Sequence, residues 1–247
     1  MSNFSVIIAA AGSGSRFQSG DQKKTYALLA GMPLWLHSVE KFACRDDVNQ
    51  ILIVVSPDDF DWFSEKHSGL IAKHQIQVIA GGAERFQSVE NALKEITSDC
   101  EFVAVHDAAR PCLSNAMLER IFATAREQGN AVPAVAVSST LKRSSDGARV
   151  QETVDRSSLY ESQTPQVFRT ADLKSAFENR GDLQPTDEAQ LMELLGSTIY
   201  LAEGCTLNRK VTSPQDMQFA EAAMSVLGQS KTEPIHFDGP TGDSIIR

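Results

Sequence analysis

Residues 6–16 read Val6-Ile7-Ile8-Ala9-Ala10-Ala11-Gly12-Ser13-Gly14-Ser15-Arg16, an apolar run that passes without a break into a glycine-bearing turn and a cation. Apolar residues without polar alternation are the pattern of a strand covered on both faces, as in a parallel sheet flanked by helices. The small residues that follow let the main chain approach a ligand closely with its N–H groups turned toward it, which suits an anion such as a triphosphate. Arg16 and, further on, Lys24 add side-chain positive charge. A plain tight turn at a strand end is the competing reading; position and the two cations favour a nucleotide. Two familiar phosphate loops are excluded by spacing. No Gly-Lys-Ser/Thr is present for a Walker loop, and Phe17 stands where a dinucleotide fingerprint needs its third glycine.

Comparable apolar runs at 51–55, 76–79, 102–105 and 131–137 alternate with segments of helical period at 34–42, 84–96, 114–128, 186–195 and 214–227. This alternation predicts an α/β fold, a Rossmann-like doubly wound and mostly parallel sheet with helices on both faces. Segment 140–154 departs from it. Two polar, β-branched arms flank Ser144-Ser145-Asp146-Gly147, which predicts a hairpin, and with little apolar surface to bury it should project from the domain. A projecting arm meets a second subunit or stands in solvent, and the sequence leaves both open. Past residue 227 the periodicity ceases, and Pro234, Gly239, Pro240 and Gly242 mark a tail without an assigned role. The expected organisation is a single domain over 1–228 with 139–164 as a projecting arm, followed by a tail over 229–247.

The chain has 247 residues, of which 42% are hydrophobic and 22% charged, enough to bury a core without metal or disulfide support. A formal net charge of −9 argues against a general nucleic-acid or anionic-membrane binder and serves solubility. Any phosphate site must therefore be locally basic. Cys44, Cys100, Cys112 and Cys205 form no C-x-x-C pair and have no histidine at zinc spacing, so they are expected to be reduced and mostly buried. The first residues lack a basic leader, and no apolar stretch approaches about 18 residues, so a cytoplasmic protein is expected.

Further blocks follow the glycine turn in order. They are Gly81-Gly82 with Glu84, Arg85 and Ser88; Val105-His106-Asp107-Ala108-Ala109-Arg110-Pro111; Val154-Asp155-Arg156; Thr164-Pro165-Gln166; Thr186-Asp187-Glu188; and Lys210-Val211-Thr212. Together with the A-A-G-x-G-x-R loop and its lysine, this set over residues 5–227 resembles the 2-C-methyl-D-erythritol 4-phosphate cytidylyltransferase family. The resemblance implies transfer of CMP from CTP to 2-C-methyl-D-erythritol 4-phosphate, giving 4-diphosphocytidyl-2-C-methyl-D-erythritol and pyrophosphate in the non-mevalonate isoprenoid route. It further implies a magnesium ion, or another divalent cation, on the triphosphate and a homodimer joined through the arm.

Residue by residue, the resemblance places Arg16 and Lys24 on the α-phosphate and leaving pyrophosphate, and Arg156 and Lys210 on the acceptor phosphate, Arg156 from a partner's arm. Ala10, Ala11, Gly12, Gly14, Gly82 and Ser88 would bind CTP; Asp107, Arg110, Thr140, Thr164 and Thr186 would bind the acceptor, with Asp107 also a candidate for the metal shell. Lys23 stands where the family has proline; Tyr26 fixes the register that selects Lys24. The family's Asp-Thr at the start of the arm is Ser139-Thr140 here.

Plainer roles compete at several positions. Ser88 reads equally as an ordinary residue of a helix start, Asp107 and Thr186 as helix caps, Thr164 as a pre-proline turn residue, and Glu84 and Arg85 as solvated charges. His106 reads as structural, because an acceptor phosphate monoester, with its second pKa near about 6, is already largely ionised at neutral pH and needs no imidazole base. Catalysis would rest on positioning and charge neutralisation. Ribitol 5-phosphate cytidylyl transfer is the nearest alternative activity, and a non-catalytic nucleotide-binding module a more distant one.

Overall fold

The structure is a computed structural model that describes residues 3–12, 24–97 and 99–229. Gly14, Arg16 and Lys23 lie outside the described residues, as does the tail from residue 230 onward.

In chain order the strands are β1 (Phe4–Ala9), β2 (Leu28–Leu29), β3 (Met32–Pro33), β4 (Val48–Val55), β5 (Ile76–Ala80), β6 (Phe102–Asp107), β7 (Asn130–Ala136), β8 (Leu141–Arg143), β9 (Glu152–Val154), β10 (Tyr160–Ser162), β11 (Gln166–Arg169) and β12 (Leu201–Glu203). The helices are α1 (Leu34–Ala43), α2 (Phe60–Lys66), α3 (Ser68–Lys73), α4 (Arg85–Lys94), α5 (Asn115–Gln128), α6 (Thr170–Glu178), α7 (Glu188–Leu194) and α8 (Pro214–Gln229).

The main sheet has the order β10-β7-β11-β6-β1-β4-β5, with β12 also paired to β7. β1 runs parallel to both β4 and β6, and β4 parallel to β5. The apolar run that opens the chain is central and covered on both faces. Val6 and Ile8 point into a core cluster with Trp35, Val39 and Phe42 of α1 and with Leu118, Ile121 and Phe122 of α5. Ile7 points to the opposite face, among Val89 and Leu93 of α4 and Leu173 and Phe177 of α6. Side chains alternate across a strand, so one continuous apolar run supplies both layers.

Each anticipated strand and helix forms, within two residues of its expected bounds except for the start of 51–55, where β4 begins three residues earlier at Val48. Several elements were not anticipated. β11 is antiparallel to both β6 and β7 and separates them; four residues between polar neighbours carry too short a pattern to read. In α2, Phe63 is the buried residue, and α3 has none, so this segment lacks a readable apolar stripe.

Residues 140–154 do form a hairpin. β8 pairs antiparallel with β9, Leu141 facing Val154, as a two-stranded sheet apart from the main one. Asp146 Oδ1 accepts from the N–H groups of Ala148 and Arg149 at 2.9 Å each and closes the tip. Val150 beside the tip, and Leu159 and Tyr160 near the base, are apolar and exposed.

The chain passes from β1 outward to β4 and β5, then returns over the sheet through α4 to enter β6 on the other side of β1. Strand order reverses there. The carboxyl ends of β1 and β6 therefore diverge into opposite crossovers and open a crevice, the position where open α/β sheets hold their ligands. Among the described residues, no helix is long and apolar enough to cross a membrane.

Candidate active site

The crevice is walled by the segment after β1, the loop after β5 and the turn after β6. Ala10 donates its N–H to Val54 O at 2.8 Å and is buried, while Ala11 and Gly12 become progressively exposed as the chain leaves the sheet. Gly81 packs against this exit. A Cβ on Gly81 would meet Ser88 Oγ at 2.8 Å, Ala11 Cβ at 3.0 Å and the Val55 carbonyl at 3.1 Å, so only glycine allows the two loops to touch. Gly82 is equally confined, since its Cβ would stand 2.4 Å from Gln87 Cβ.

Ser88 is buried, and its hydroxyl accepts from Gly82 N–H and donates to the Glu84 carbonyl, both at 3.1 Å. Ser88 and the Gly82 N–H, both expected at CTP, thus bond to each other and shape the loop that faces the exit of β1. Glu84 is the N-cap of α4, in a capping box whose Gln87 Oε1 accepts from Glu84 N–H at 2.9 Å. Lys24 opens a short 3-10 turn, Lys24–Tyr26, anchored where Tyr26 donates to Asp59 Oδ2 at 2.9 Å.

The third wall carries most of the charge. Asp107 ends β6, and the chain turns at once, Arg110 N–H bonding back to Asp107 O and Val211 N–H to Ala109 O. That last bond draws the neighbouring Lys210 in, so that its Nζ lies 2.8 Å from Asp107 Oδ2. Arg85 Nη2 stands 3.6 Å from Asp107 Oδ1, and Arg110 Nε 3.6 Å from Oδ2. Arg85 is also held by Glu188 through both guanidinium forks, at 2.6 and 2.9 Å. Reading Arg85 as a solvated charge is corrected, and Glu188, which sequence reasoning passed over, is buried behind it. Three cations thus converge on one carboxylate, Asp107, with Glu188 and Asp187 acting on Arg85 and Glu161 on Arg110.

Burial by itself would raise the Asp107 carboxyl, but Lys210, Arg85 and Arg110 outweigh it and hold it far below the usual carboxylate range. Asp107 is therefore an acceptor of hydrogen bonds throughout the physiological range and not a proton donor.

Beneath Asp107 lies a buried relay. Asp107 N–H donates to Thr164 Oγ1 at 3.0 Å, and Thr164 Oγ1 lies 3.0 Å from His106 Nδ1. His106 Nε2 lies 3.1 Å from the Arg110 carbonyl and 3.1 Å from Ser38 Oγ. A carbonyl can only accept, so Nε2 carries the proton and Nδ1 accepts from the Thr164 hydroxyl. Burial, with Arg110 adding to it against the opposing pull of Asp107, brings the His106 pKa down to about 4. The ring is neutral and structural, as its place in the sequence suggested.

Thr164, expected at the acceptor, is buried, and its hydroxyl is part of this relay directly beneath Asp107. Arg110, also expected there, has its guanidinium tied to the carbonyls of Asn208 at 2.9 Å and Ser162 at 3.4 Å. Thr186 is exposed just ahead of α7, and the cap of that helix is Asp187, whose Oδ1 accepts from Gln190 N–H at 2.9 Å. The reading of Thr186 as a cap is corrected accordingly. Thr140 and Arg156 are exposed on the arm, where Arg156 donates to the Ser138 carbonyl. Within the described residues of one chain, Arg156 takes no part in the ion cluster on Asp107.

No group of three or more His, Cys, Asp or Glu side chains suited to a metal occurs among the described residues. Asp107, with Oδ2 already on Lys210, offers one carboxylate oxygen, which fits a cation held mainly by phosphate oxygens and water and not a cage built by the protein.

Fold and crevice together define an α/β enzyme of the kind that receives a phosphorylated ligand at the carboxyl ends of its strands. The sequence profile described as "IspD: 2-C-methyl-D-erythritol 4-phosphate cytidylyltransferase" matches residues 4–226, and the chain belongs to this family. It is 40% identical over 233 residues to the 2-C-methyl-D-erythritol 4-phosphate cytidylyltransferase of Rhodopirellula baltica, covering 90% of this chain and 94% of that one. The enzyme of the same name from Bacillus velezensis is 40% identical over 223 residues, covering 89% and 94%. The crystal structure of the Thermus thermophilus enzyme superposes with a TM-score of 0.75 at 30% identity, covering 91% of this chain and all of that one (100%).

Proposed function

We propose that the chain transfers the cytidylyl group of CTP to 2-C-methyl-D-erythritol 4-phosphate, a step of the non-mevalonate route to isoprenoid precursors. A phosphate oxygen of the acceptor attacks the α-phosphorus of CTP, a new P–O bond forms, and the bond to the β-phosphate breaks to release pyrophosphate. The observation that carries this reading is the meeting of Asp107 and Lys210 at the end of β6, beside the exit of β1. A cation and an ionised carboxylate suit an acceptor that carries both a phosphate and hydroxyl groups.

The nucleophile is already anionic, so the protein's task is to bring two polyanions together and neutralise the charge that builds up. Lys210 exposes 42% of its side chain and is the cluster's reach toward the acceptor phosphate. Asp107 accepts from acceptor hydroxyls. Lys24 and Arg16 belong to the triphosphate, and Gly12, Gly14 and the Ala10–Ala11 main chain to the nucleotide. A divalent cation, magnesium being the natural one, would neutralise triphosphate oxygens, with Asp107 the described carboxylate nearest to hand.

Thr140 and Arg156 belong to the arm. Their distance in sequence and fold from the Asp107 cluster supports a site completed by the arm of a second copy, and the exposed apolar Leu159 and Tyr160 support a homodimer there.

Pyrophosphate release from CTP with magnesium, measured separately with 2-C-methyl-D-erythritol 4-phosphate and ribitol 5-phosphate, tests the proposal. Faster release with the first is expected. Faster release with ribitol 5-phosphate would move the assignment to that acceptor, and no release with either would leave a nucleotide-binding module.

A further inference from the structure

Glu188 is an unusual place to find a carboxylate. It is 1% exposed, yet it begins a surface helix, and it lies 103 residues along the chain from its partner Arg85. A buried carboxylate is costly unless it is paired and hydrogen-bonded. The pairing here is complete: Oε1 takes Nη1 at 2.6 Å and Oε2 takes Nη2 at 2.9 Å, the parallel geometry in which arginine and a carboxylate fit best. Gln166 fixes the start of α7 from behind, its Oε1 accepting from Ala189 N–H at 3.0 Å and its Nε2 donating to Asp187 Oδ2 at 2.8 Å.

The arginine so held is the first residue of α4, directly after the Gly81–Gly82 loop, and its Nη2 is also the group 3.6 Å from Asp107 Oδ1. Arg85 thus has two carboxylates within reach and is fully engaged with one. Its fork could serve Asp107 in the same bidentate manner, and if it did, the oxygens of Asp107 would be occupied. Arg85 is 31% exposed on its side chain, so the space for such a swing opens onto the crevice.

We propose that Glu188 is a positioning residue: by taking both forks of Arg85 it keeps the guanidinium from closing on Asp107, and so leaves Asp107 Oδ1 open to an acceptor hydroxyl. Glu188 touches neither substrate. It acts through Arg85, and its effect falls on the acceptor side of the reaction. This inference rests on the cytidylyl-transfer reading, which the wild-type enzyme tests in the same experiment.

The test is steady-state kinetics with each substrate varied in turn, on wild type, Glu188→Gln and the double variant Glu188→Gln/Arg85→Gln, with thermal melts on all three. Glu188→Gln is expected to raise KM for 2-C-methyl-D-erythritol 4-phosphate about tenfold while KM for CTP stays within about twofold. Adding Arg85→Gln removes the loosened guanidinium, so the double variant is expected to recover acceptor KM to within about threefold of wild type. A purely structural pair predicts that melting temperature falls and recovers together with both KM values, with no bias toward the acceptor. If Glu188→Gln fails to fold, the double variant, whose two amides can bond to each other, still reports: near-wild-type acceptor KM supports the inference and a tenfold loss overturns it. Equal rises in both KM values, or none in either, also overturn it. Lack of pyrophosphate release by the wild type itself would count against the reaction and not against Glu188.

Discussion

Asp107 sits at the end of a fully buried strand with three cations around one carboxylate, and the two arginines among them each have a second commitment. Arg85 is held by Glu188 and Arg110 by two backbone carbonyls, which leaves Lys210, the most exposed, to meet a substrate. Lys210→Met is expected to lower kcat/KM for the acceptor on the order of 100-fold, the scale for losing one charge-stabilising donor, with fold stability little changed. Kinetics with the acceptor varied at saturating CTP check this. Lys24→Ala should lower turnover far more than CTP affinity, because charge grows on the triphosphate only as the bond to the leaving group breaks; unchanged turnover would remove Lys24 from the reaction.

His106 gives a separate prediction at the same scale. Its folded pKa, about 4, lies below the ordinary 6.5, so above both values the ring is neutral in folded and unfolded chain and pH has no effect through it. As pH falls from about 6.5 toward about 4, the unfolded chain takes up the proton first and stability is lost, by roughly 3 kcal/mol at the low end. Melting temperature should therefore fall through this window, and His106→Asn should flatten the fall; an equal slope in both proteins would contradict it. The structural part of His106 was legible because the reaction needs no imidazole. The roles of Thr164 and Glu188 were not, since burial and a partner 103 residues away leave no mark on local sequence.

At the scale of elements, the nucleotide side of the crevice depends on two loops in contact. Gly82→Ala places a Cβ 2.4 Å from the Gln87 stem, which α4 cannot yield without moving its first turn. A stability loss of about 1–3 kcal/mol and a raised KM for CTP are expected, read from melts and kinetics on one preparation. The glycine turn, the strand before it and the α4 capping region were visible because close approach and capping demand particular residue types. The half of the sheet beyond β6 was less so. β11 and β12 are four and three residues long, and their pairing with β7 is decided by tertiary neighbours and not by period. For the same reason α7 was legible as a helix while its cap was displaced by one residue, from Thr186 to Asp187.

For the whole molecule, the doubly wound architecture followed from the alternation of buried runs with amphipathic segments, and the strand-order reversal at β1 follows from it in turn. The arm formed by β8 and β9 stands apart from the main sheet. Thr140 and Arg156 have no place in the Asp107 cluster of their own chain, and if they serve a partner's site, subunits mixed from Arg156→Ala and Lys24→Ala should regain part of the activity that each variant lacks. No regain would confine the site to a single chain.

Cytidylyl transfer is tested most directly by what becomes of the acceptor's phosphate. Phosphorus NMR of CTP, magnesium and 2-C-methyl-D-erythritol 4-phosphate with the enzyme should show the acceptor monoester signal replaced by the two coupled signals of a cytidine diphosphate ester, with one pyrophosphate for each ester formed. An unchanged monoester signal, whether CTP stays intact or breaks down without joining it, would contradict cytidylyl transfer at this site.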